Sequence, residues 1–155
     1  MILIINQLGK FMKFIKSVKL ALIISTATFS VKSAELLVSI DHIKSDQGSV
    51  LAQLFHGEEN YKNNKSQEHA IFAAKTGYGE LRFENLQPGE YVVRMFHDEN
   101  SNNKMDANAF GMPTEGYGFS NEAVGNMGPP QYKDMVVTIK SDDQVVNTKT
   151  KMIYL

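Results

Sequence analysis

The sequence predicts an all-β domain, arranged as a single antiparallel β-sandwich of about seven strands. Three observations lead to this prediction. Apolar and polar residues alternate in short segments after Ala34, turn residues separate these segments, and no segment keeps an apolar period of 3.6 residues over the length of a helix. Short strands with frequent turns are typical of antiparallel sandwiches, whereas a βαβ fold needs helical segments between its strands.

The first two predicted strands flank a turn. Leu36, Val38 and Ile40 share one face of the first strand, and "DQGS" then leads into "VLAQLF" at residues 50–55. This pattern predicts a hairpin. The next segment, "GEENYKNNKSQEH", is polar and has no core face, so we predict a loop, while "EHAIFAAK" is compatible with one helical turn or a short strand.

Four more strands are predicted in the second half of the chain. Pro88 and Gly89 mark the turn between the first two of them. The four strands are identified by their alternating residues: Leu81 and Phe83, then Tyr91, Val93 and Met95, then Met135, Val137 and Ile139, and finally Thr148, Thr150, Met152 and Tyr154.

The N-terminal segment has the features of an export signal. Basic residues Lys13, Lys16 and Lys19 precede an apolar stretch from residue 20 to about 29, and we predict cleavage after Ser33. Residues 1–33 are therefore expected to be a signal peptide and residues 34–155 the sandwich domain, with Met12 as a candidate for the true start. The apolar stretch is shorter than the roughly 20 helical residues that span a bilayer, so we expect no stable membrane span after its removal.

Charge and cysteine content narrow the possible partners and the location. Residues 1–33 contain five of the 16 basic residues and none of the 17 acidic ones, so residues 34–155 have a formal net charge of −6. An acidic domain offers no electrostatic surface for nucleic acid, and a cation is the more natural partner. The absence of cysteine excludes disulfides, thiolate metal sites and the lipidated cysteine of a lipoprotein. We expect a periplasmic or secreted protein.

A polar segment, "HDENSNNKMDANAFG" at residues 97–111, resembles a calcium-binding loop. Calcium requires several oxygen ligands, which alternate positions of a coiled loop can supply. Asp98, Asn100, Asn102 and Asp106 occupy positions 1, 3, 5 and 9 of such a loop, and Lys104 at position 7 would contribute its backbone carbonyl. We therefore expect calcium as a possible cofactor with these five residues as ligands.

The same segment also fits a turn in which Asn and Asp side chains cap backbone N–H groups without a metal. Two positions depart from the calcium pattern: Asn103 stands at position 6 in place of Gly, and Ala109 stands at position 12 in place of a bidentate Glu. Glu99, Glu115 and Glu122 are the nearby carboxylates that would complete the ligand set. Both interpretations stay open from the sequence.

The glycine-rich segment "EGYGFSNEAVGNMGPPQY" is a candidate ligand-binding surface, because long loops on a rigid scaffold often bind ligands. The residues expected to bind are Tyr117, Phe119, Asn121 and Tyr132. An unknown small molecule, a glycan or an envelope protein would be the partner. The alternative is that Tyr117 and Phe119 plug the open end of the sandwich, with Gly116 and Gly118 allowing close backbone packing.

Enzymatic motifs are not evident. The sequence has no Gly-x-Ser-x-Gly motif and no His-Glu-x-x-His motif, and no base is identifiable for Ser120. The leading hypothesis is therefore an exported, non-enzymatic binding module that uses its long loops. The alternatives are a small hydrolase using Glu99, Glu115 and Glu122, and a structural or assembly module with an exposed edge strand.

Two motifs carry a family resemblance. The segment "ENLQPGEYVVRMFHDENSNNKMD", followed by "GMPTEGYGFSNEAVGNMGPPQYKD", resembles the DUF2141 family of uncharacterised bacterial exported proteins. The resemblance covers nearly all of residues 34–155. It implies a prealbumin-like or immunoglobulin-like sandwich, and it implies no established activity.

Overall fold

The computed structural model describes residues 33–126 and 128–155, and the expected signal peptide lies outside these residues apart from Ser33. Eight strands form within them: β1 (Ala34–Ile43), β2 (Ser49–His56), β3 (Glu68–Ala73), β4 (Gly77–Leu86), β5 (Gly89–Asp98), β6 (Gly116–Phe119), β7 (Val137–Ile139) and β8 (Val145–Lys151). Two short helices, α1 (Glu58–Lys62) and α2 (Tyr132–Met135), and a 3-10 turn at Ser120–Glu122 complete the regular structure. The all-β prediction is confirmed.

The strands form two sheets, which confirms the sandwich. One sheet has the order β4-β1-β8, and the other has the order β3-β2-β5-β6, with β7 pairing the start of β5. Every pair is antiparallel except that of β1 with β8, which is parallel. The described chain therefore has eight strands where the sequence predicted about seven, and one parallel pair.

The predicted hairpin between the first two strands is wrong. β1 pairs β4 and β8, whereas β2 pairs β3 and β5, so the turn at residues 44–48 joins the two sheets. Gly48 is needed in this turn: its φ is +67°, and a Cβ there would lie 1.8 Å from the carbonyl oxygen of Asp98. The turn at Pro88 likewise connects β4 in one sheet to β5 in the other.

Other sequence predictions are corrected in detail. The polar segment after β2 contains α1, and the ambiguous "EHAIFAAK" forms β3. Met135 lies in α2 and not on a strand, while β6 forms in the glycine-rich segment that was predicted to be a loop. The described residues include no helix that is both long and apolar enough to cross a membrane.

The core lies between the inner faces of the two sheets. Alternation places every second side chain of a strand on this face, as predicted for β1, where Leu36, Val38 and Ile40 are all buried. The opposing sheet contributes the following buried residues: Val50, Ala52, Leu54, Tyr91, Val93 and Met95.

A second apolar cluster covers part of the outer face of the larger sheet. Its buried members are Val92, Phe119, Ala123 and Met135, and Tyr61, Tyr117 and Tyr132 pack against them. Because α1 supplies Tyr61 and α2 supplies Met135 and Tyr132, the two short helices lie over this face.

Candidate functional site

Asp98 ends β5 and begins the polar loop. It is only 1% exposed, and its carboxylate accepts hydrogen bonds from the backbone N–H of Asn102 at 3.1 Å and of Asn103 at 2.7 Å. Asn103 has a φ of 60°, so it makes the sharp turn at the position where a calcium loop usually has Gly. The loop is therefore coiled around the Asp98 carboxylate.

Three further predicted side chains of the loop contact one another or the backbone beside Asp98. The amide nitrogen of Asn100 donates to Asp106 Oδ2 at 2.6 Å, and that of Asn102 lies 3.1 and 3.0 Å from the two carboxylate oxygens of Asp106. The backbone N–H of Asn102 also contacts Asn100 Oδ1 at 3.0 Å. We call Asp98, Asn100, Asn102 and Asp106 the Asx cluster.

Glu115 is the nearby carboxylate that the structure brings to this loop. Its side chain accepts hydrogen bonds from the N–H of Glu99 at 3.2 Å and of Asp106 at 3.0 Å, and the residue is 6% exposed. Glu115 thus closes the loop by joining its two ends. Lys104, the fifth predicted ligand, donates its backbone N–H to Asn102 Oδ1 at 2.8 Å.

The chemistry of this donor set suits a hard cation, because it consists of carboxylates and amides and contains no sulfur or imidazole. Within residues 33–126 and 128–155, no three His, Asp or Glu side chains form a ready metal site. The Asn100 and Asn102 amides stand beside the carboxylates and present nitrogen to Asp106. Binding a cation would require these amides to turn their oxygens inward, while the contacts as they stand also suit the self-capped turn.

Beyond the Asx cluster, the loop folds back on itself as a small hairpin. Ala107 pairs with Pro113, and Asn108 Oδ1 accepts hydrogen bonds from the N–H of Phe110 at 2.9 Å and of Met112 at 3.1 Å. Phe110 is 91% exposed at the tip. The segment therefore presents an aromatic side chain to solvent from a hydrogen-bonded turn.

The predicted ligand-binding residues fall into two groups. Tyr117, Phe119 and Tyr132 lie in the outer-face cluster, not at an open end between the sheets. Tyr132 donates to Glu90 at 3.3 Å, and burial together with that carboxylate raises the pKa of Tyr132 to about 12. Asn121 uses its amide internally, bonding Val136 O at 2.8 Å and Thr148 Oγ1 at 3.0 Å.

The serine and glutamate side chains that a small hydrolase would need make separate contacts in the structure. Ser120 is fully buried, donates its hydroxyl to Met135 O at 2.6 Å and accepts from the N–H of Val93. Glu115 caps the polar loop, and Glu99 lies 3.6 Å from His97 Nδ1. In the described part of the chain, no hydrogen bond joins Glu122 to either of these carboxylates.

Arg94 is a candidate residue that the sequence analysis missed. It lies on the outer face of β5, paired across the strands with Gln53 and Phe119. The signal was present in "YVVRMF", because Arg94 is the one charged residue of a segment that is apolar on both faces. A strand of that kind is covered on both sides, so its arginine is held against other side chains.

A family profile matches most of the chain. The profile of DUF2141, described as an uncharacterized protein conserved in bacteria, matches residues 38–147. The chain belongs to this family. The DUF2141 match includes the Asx cluster, Glu115 and Arg94, so all the candidate positions lie within it. Comparisons with curated proteins and with solved structures give no match.

Proposed function

We propose that this protein is an exported, non-enzymatic binding module in which calcium orders the loop at residues 98–115. The calcium ligands are the side chains of the Asx cluster and the carbonyl of Lys104, and Glu115 adds the carboxylate that Ala109 cannot supply. A small molecule, glycan or envelope protein then binds at the loops within residues 100–131.

One observation carries the proposal: the Asp106 carboxylate contacts the amide nitrogens of Asn100 and Asn102 at 2.6 to 3.1 Å, and the Asp98 carboxylate accepts the backbone N–H of Asn102 at 3.1 Å. These residues span nine positions of the sequence, and they come this close together only if the loop is coiled. Asp98, Asp106 and Glu115 also bring three carboxylates to one loop. A cation would offset the repulsion between them.

Ordering the loop has a physical purpose. Residues 99–115 connect β5 to β6 without a strand of their own, and fixing each residue costs about 1–2 kcal/mol of conformational entropy. A loop this long is usually functional or disordered. An ion that joins the two ends of the loop would offset part of that cost and hold Phe110 and its neighbours in place.

Thermal unfolding tests the proposal. The chelator-treated protein should unfold at a higher temperature when millimolar calcium is added, and less so with magnesium. Binding at about 100 times the dissociation constant stabilises the folded state by about 2.7 kcal/mol. Asp98→Ala should remove the increase in unfolding temperature that calcium causes, which we call the calcium increment.

Asp142→Asn is the matched control, because it removes one exposed negative charge from the turn before β8, away from the loop. This variant should keep the full calcium increment. Equal midpoints with and without calcium in the unmodified protein would show that the Asx cluster is a self-capped turn and would overturn the calcium part of the proposal.

A further inference from the structure

The outer face of the larger sheet places two rows of side chains side by side. In the first row, Gln53, Arg94 and Phe119 are paired across β2, β5 and β6. In the second, Phe96 is paired with Tyr117. Phe96 and Tyr117 are half-buried. Residues two apart on one strand face the same side about 7 Å apart, so Arg94 stands next to the Phe96–Tyr117 row.

Neutral groups hold the guanidinium of Arg94. Nε donates to Gln53 Oε1 at 3.2 Å, and Nη2 donates to the same oxygen and to Asn64 Oδ1, the latter at 2.7 Å. The guanidinium carbon lies 5.1 Å from the centre of the Phe55 ring. Two amides and an aromatic ring thus fix the direction of the side chain.

The charge of Arg94 lacks a carboxylate partner among the residues that the structure describes. Among them, no carboxylate oxygen lies within salt-bridge distance of Arg94. Burial lowers the pKa of Arg94 from its ordinary value, although the guanidinium stays protonated at neutral pH. Burying a charge is costly unless it is paired, so a half-buried cation held only by neutral partners is unusual.

The second arginine of the chain shows the ordinary arrangement. Arg82 lies on β4, and its Nη1 contacts Glu35 Oε2 at 2.9 Å. Its side chain is 52% exposed. The more exposed arginine thus has a carboxylate partner, whereas the more buried one has none.

The free edge of Arg94 is suited to a carboxylate. In the described chain, Nη1 has no hydrogen-bond partner, so its N–H groups remain for a ligand. Nη1 would donate to a carboxylate oxygen of the ligand, and such charge-assisted bonds are about twice as strong as neutral ones. The adjacent Phe96 and Tyr117 rings offer an apolar surface for the rest of the ligand.

We infer that Arg94 anchors the carboxylate of a small ligand whose apolar ring packs on Phe96 and Tyr117. This inference rests on the proposed binding function but not on calcium. It names the class of ligand and places the charged contact on β5, where a rigid strand positions it, next to Tyr117 and Phe119 of the predicted ligand-binding set.

Nuclear magnetic resonance of the arginine Nε–H groups tests the inference with the protein as it is. The chain contains two arginines, so two signals are expected, and Arg82→Gln assigns them. Benzoate should shift the Arg94 signal in a saturable manner and leave the Arg82 signal in place. Benzamide, which has the same ring without the charge, should produce no saturable shift.

Acetate separates the contribution of the ring from that of the charge. It should bind Arg94 more weakly than benzoate by on the order of tenfold, because it lacks the aromatic contact. An Arg94 signal that benzoate leaves unmoved, or that benzamide shifts equally, would overturn the inference. Equal affinity for acetate and benzoate would overturn the ring contact.

Titration in chelator and in calcium distinguishes this inference from the calcium proposal. The benzoate shift should appear in both conditions, because no residue of the Asx cluster contacts Arg94 in the described structure. A protein that responds to benzoate without a calcium increment would retain the Arg94 site and lose the calcium site. A protein that shows the calcium increment without a response to benzoate would overturn the Arg94 site and leave the calcium proposal in place.

Discussion

At the residue scale, His97 illustrates how a buried polar group is satisfied. Its ring is fully buried, Nε2 lies 2.7 Å from Gln47 O, and Nδ1 lies 2.8 Å from the hydroxyl of Tyr154. The same hydroxyl accepts a hydrogen bond from the N–H of Lys44 at 3.0 Å. Both ring nitrogens are used, so the histidine joins β5 to the C-terminal segment.

The hydrogen-bond partners determine the tautomer of His97. A carbonyl oxygen only accepts, so Nε2 must carry the proton, and in the neutral ring Nδ1 must accept from Tyr154. Nitrogen-15 spectra of the neutral ring should show a protonated Nε2 and a bare Nδ1. His42, which is exposed, provides the internal reference. A proton on Nδ1 would contradict the assigned network.

Spacing alone predicted part of the candidate site. The alternate Asp and Asn residues after His97 indicated a coiled loop, and the Asn100 and Asn102 side chains do contact Asp106, because a short loop brings its own residues together. The sequence could not distinguish Glu115 from Glu99 and Glu122 as the carboxylate that contacts the loop, because this depends on the path of the chain between β5 and β6. Arg94 was not predicted because its isolation from carboxylates is a property of neighbouring strands, which the sequence of β5 does not contain.

At the element scale, two glycines alternate with two aromatic residues in β6 because the two faces of this strand have different neighbours. Gly116 and Gly118 face inward, and a Cβ on Gly116 would lie 2.3 Å from Tyr154 Cε1. A Cβ on Gly118 would lie 2.5 Å from Thr150 Cγ2. The missing side chains let β6 approach the C-terminal segment, while Tyr117 and Phe119 face outward.

Gly116→Ala should therefore destabilise the fold by displacing the Tyr154 ring. Overpacking of this kind costs about 1–3 kcal/mol, which chemical denaturation would measure. Tyr154→Leu removes both the ring and its hydrogen bonds to His97 and Lys44. The double variant should lose less stability than the sum of the two single variants, because the clash is then absent. Strict additivity would contradict the close approach.

Alternation predicted most of the strands but not their partners. A period of two identifies a face to bury, as in β1, and says nothing about which strand lies alongside. The predicted hairpin failed for this reason, since the turn at residues 44–48 changes sheet. β6 was not predicted because it has four residues, two of them glycine. Two side chains are too few to show an alternating pattern.

At the scale of the whole molecule, the parallel pair of β1 and β8 joins the two ends of the domain. β1 is the central strand of the smaller sheet, with β4 on one side and β8 on the other. Thr148, Thr150 and Met152 on the last segment are all buried. The C-terminal residues therefore belong to the core.

Removal of residues 145–155 should prevent folding. Domains of this size are stable by only about 5–15 kcal/mol, and the truncation would remove one strand of the smaller sheet together with buried side chains. Circular dichroism and limited proteolysis would detect the loss. Removal of Leu155 alone, which is 70% exposed, should leave both measurements unchanged. A folded truncated chain would show that β8 is dispensable.

The position of β1 also sets an order of events during synthesis. A ribosome makes β1 before any other strand of the domain and makes its second neighbour, β8, last. The smaller sheet therefore cannot close until the chain is almost complete, and contacts between residues this far apart in sequence form slowly. The edge of β1 that β8 covers therefore stays unpaired until the last residues of the domain emerge.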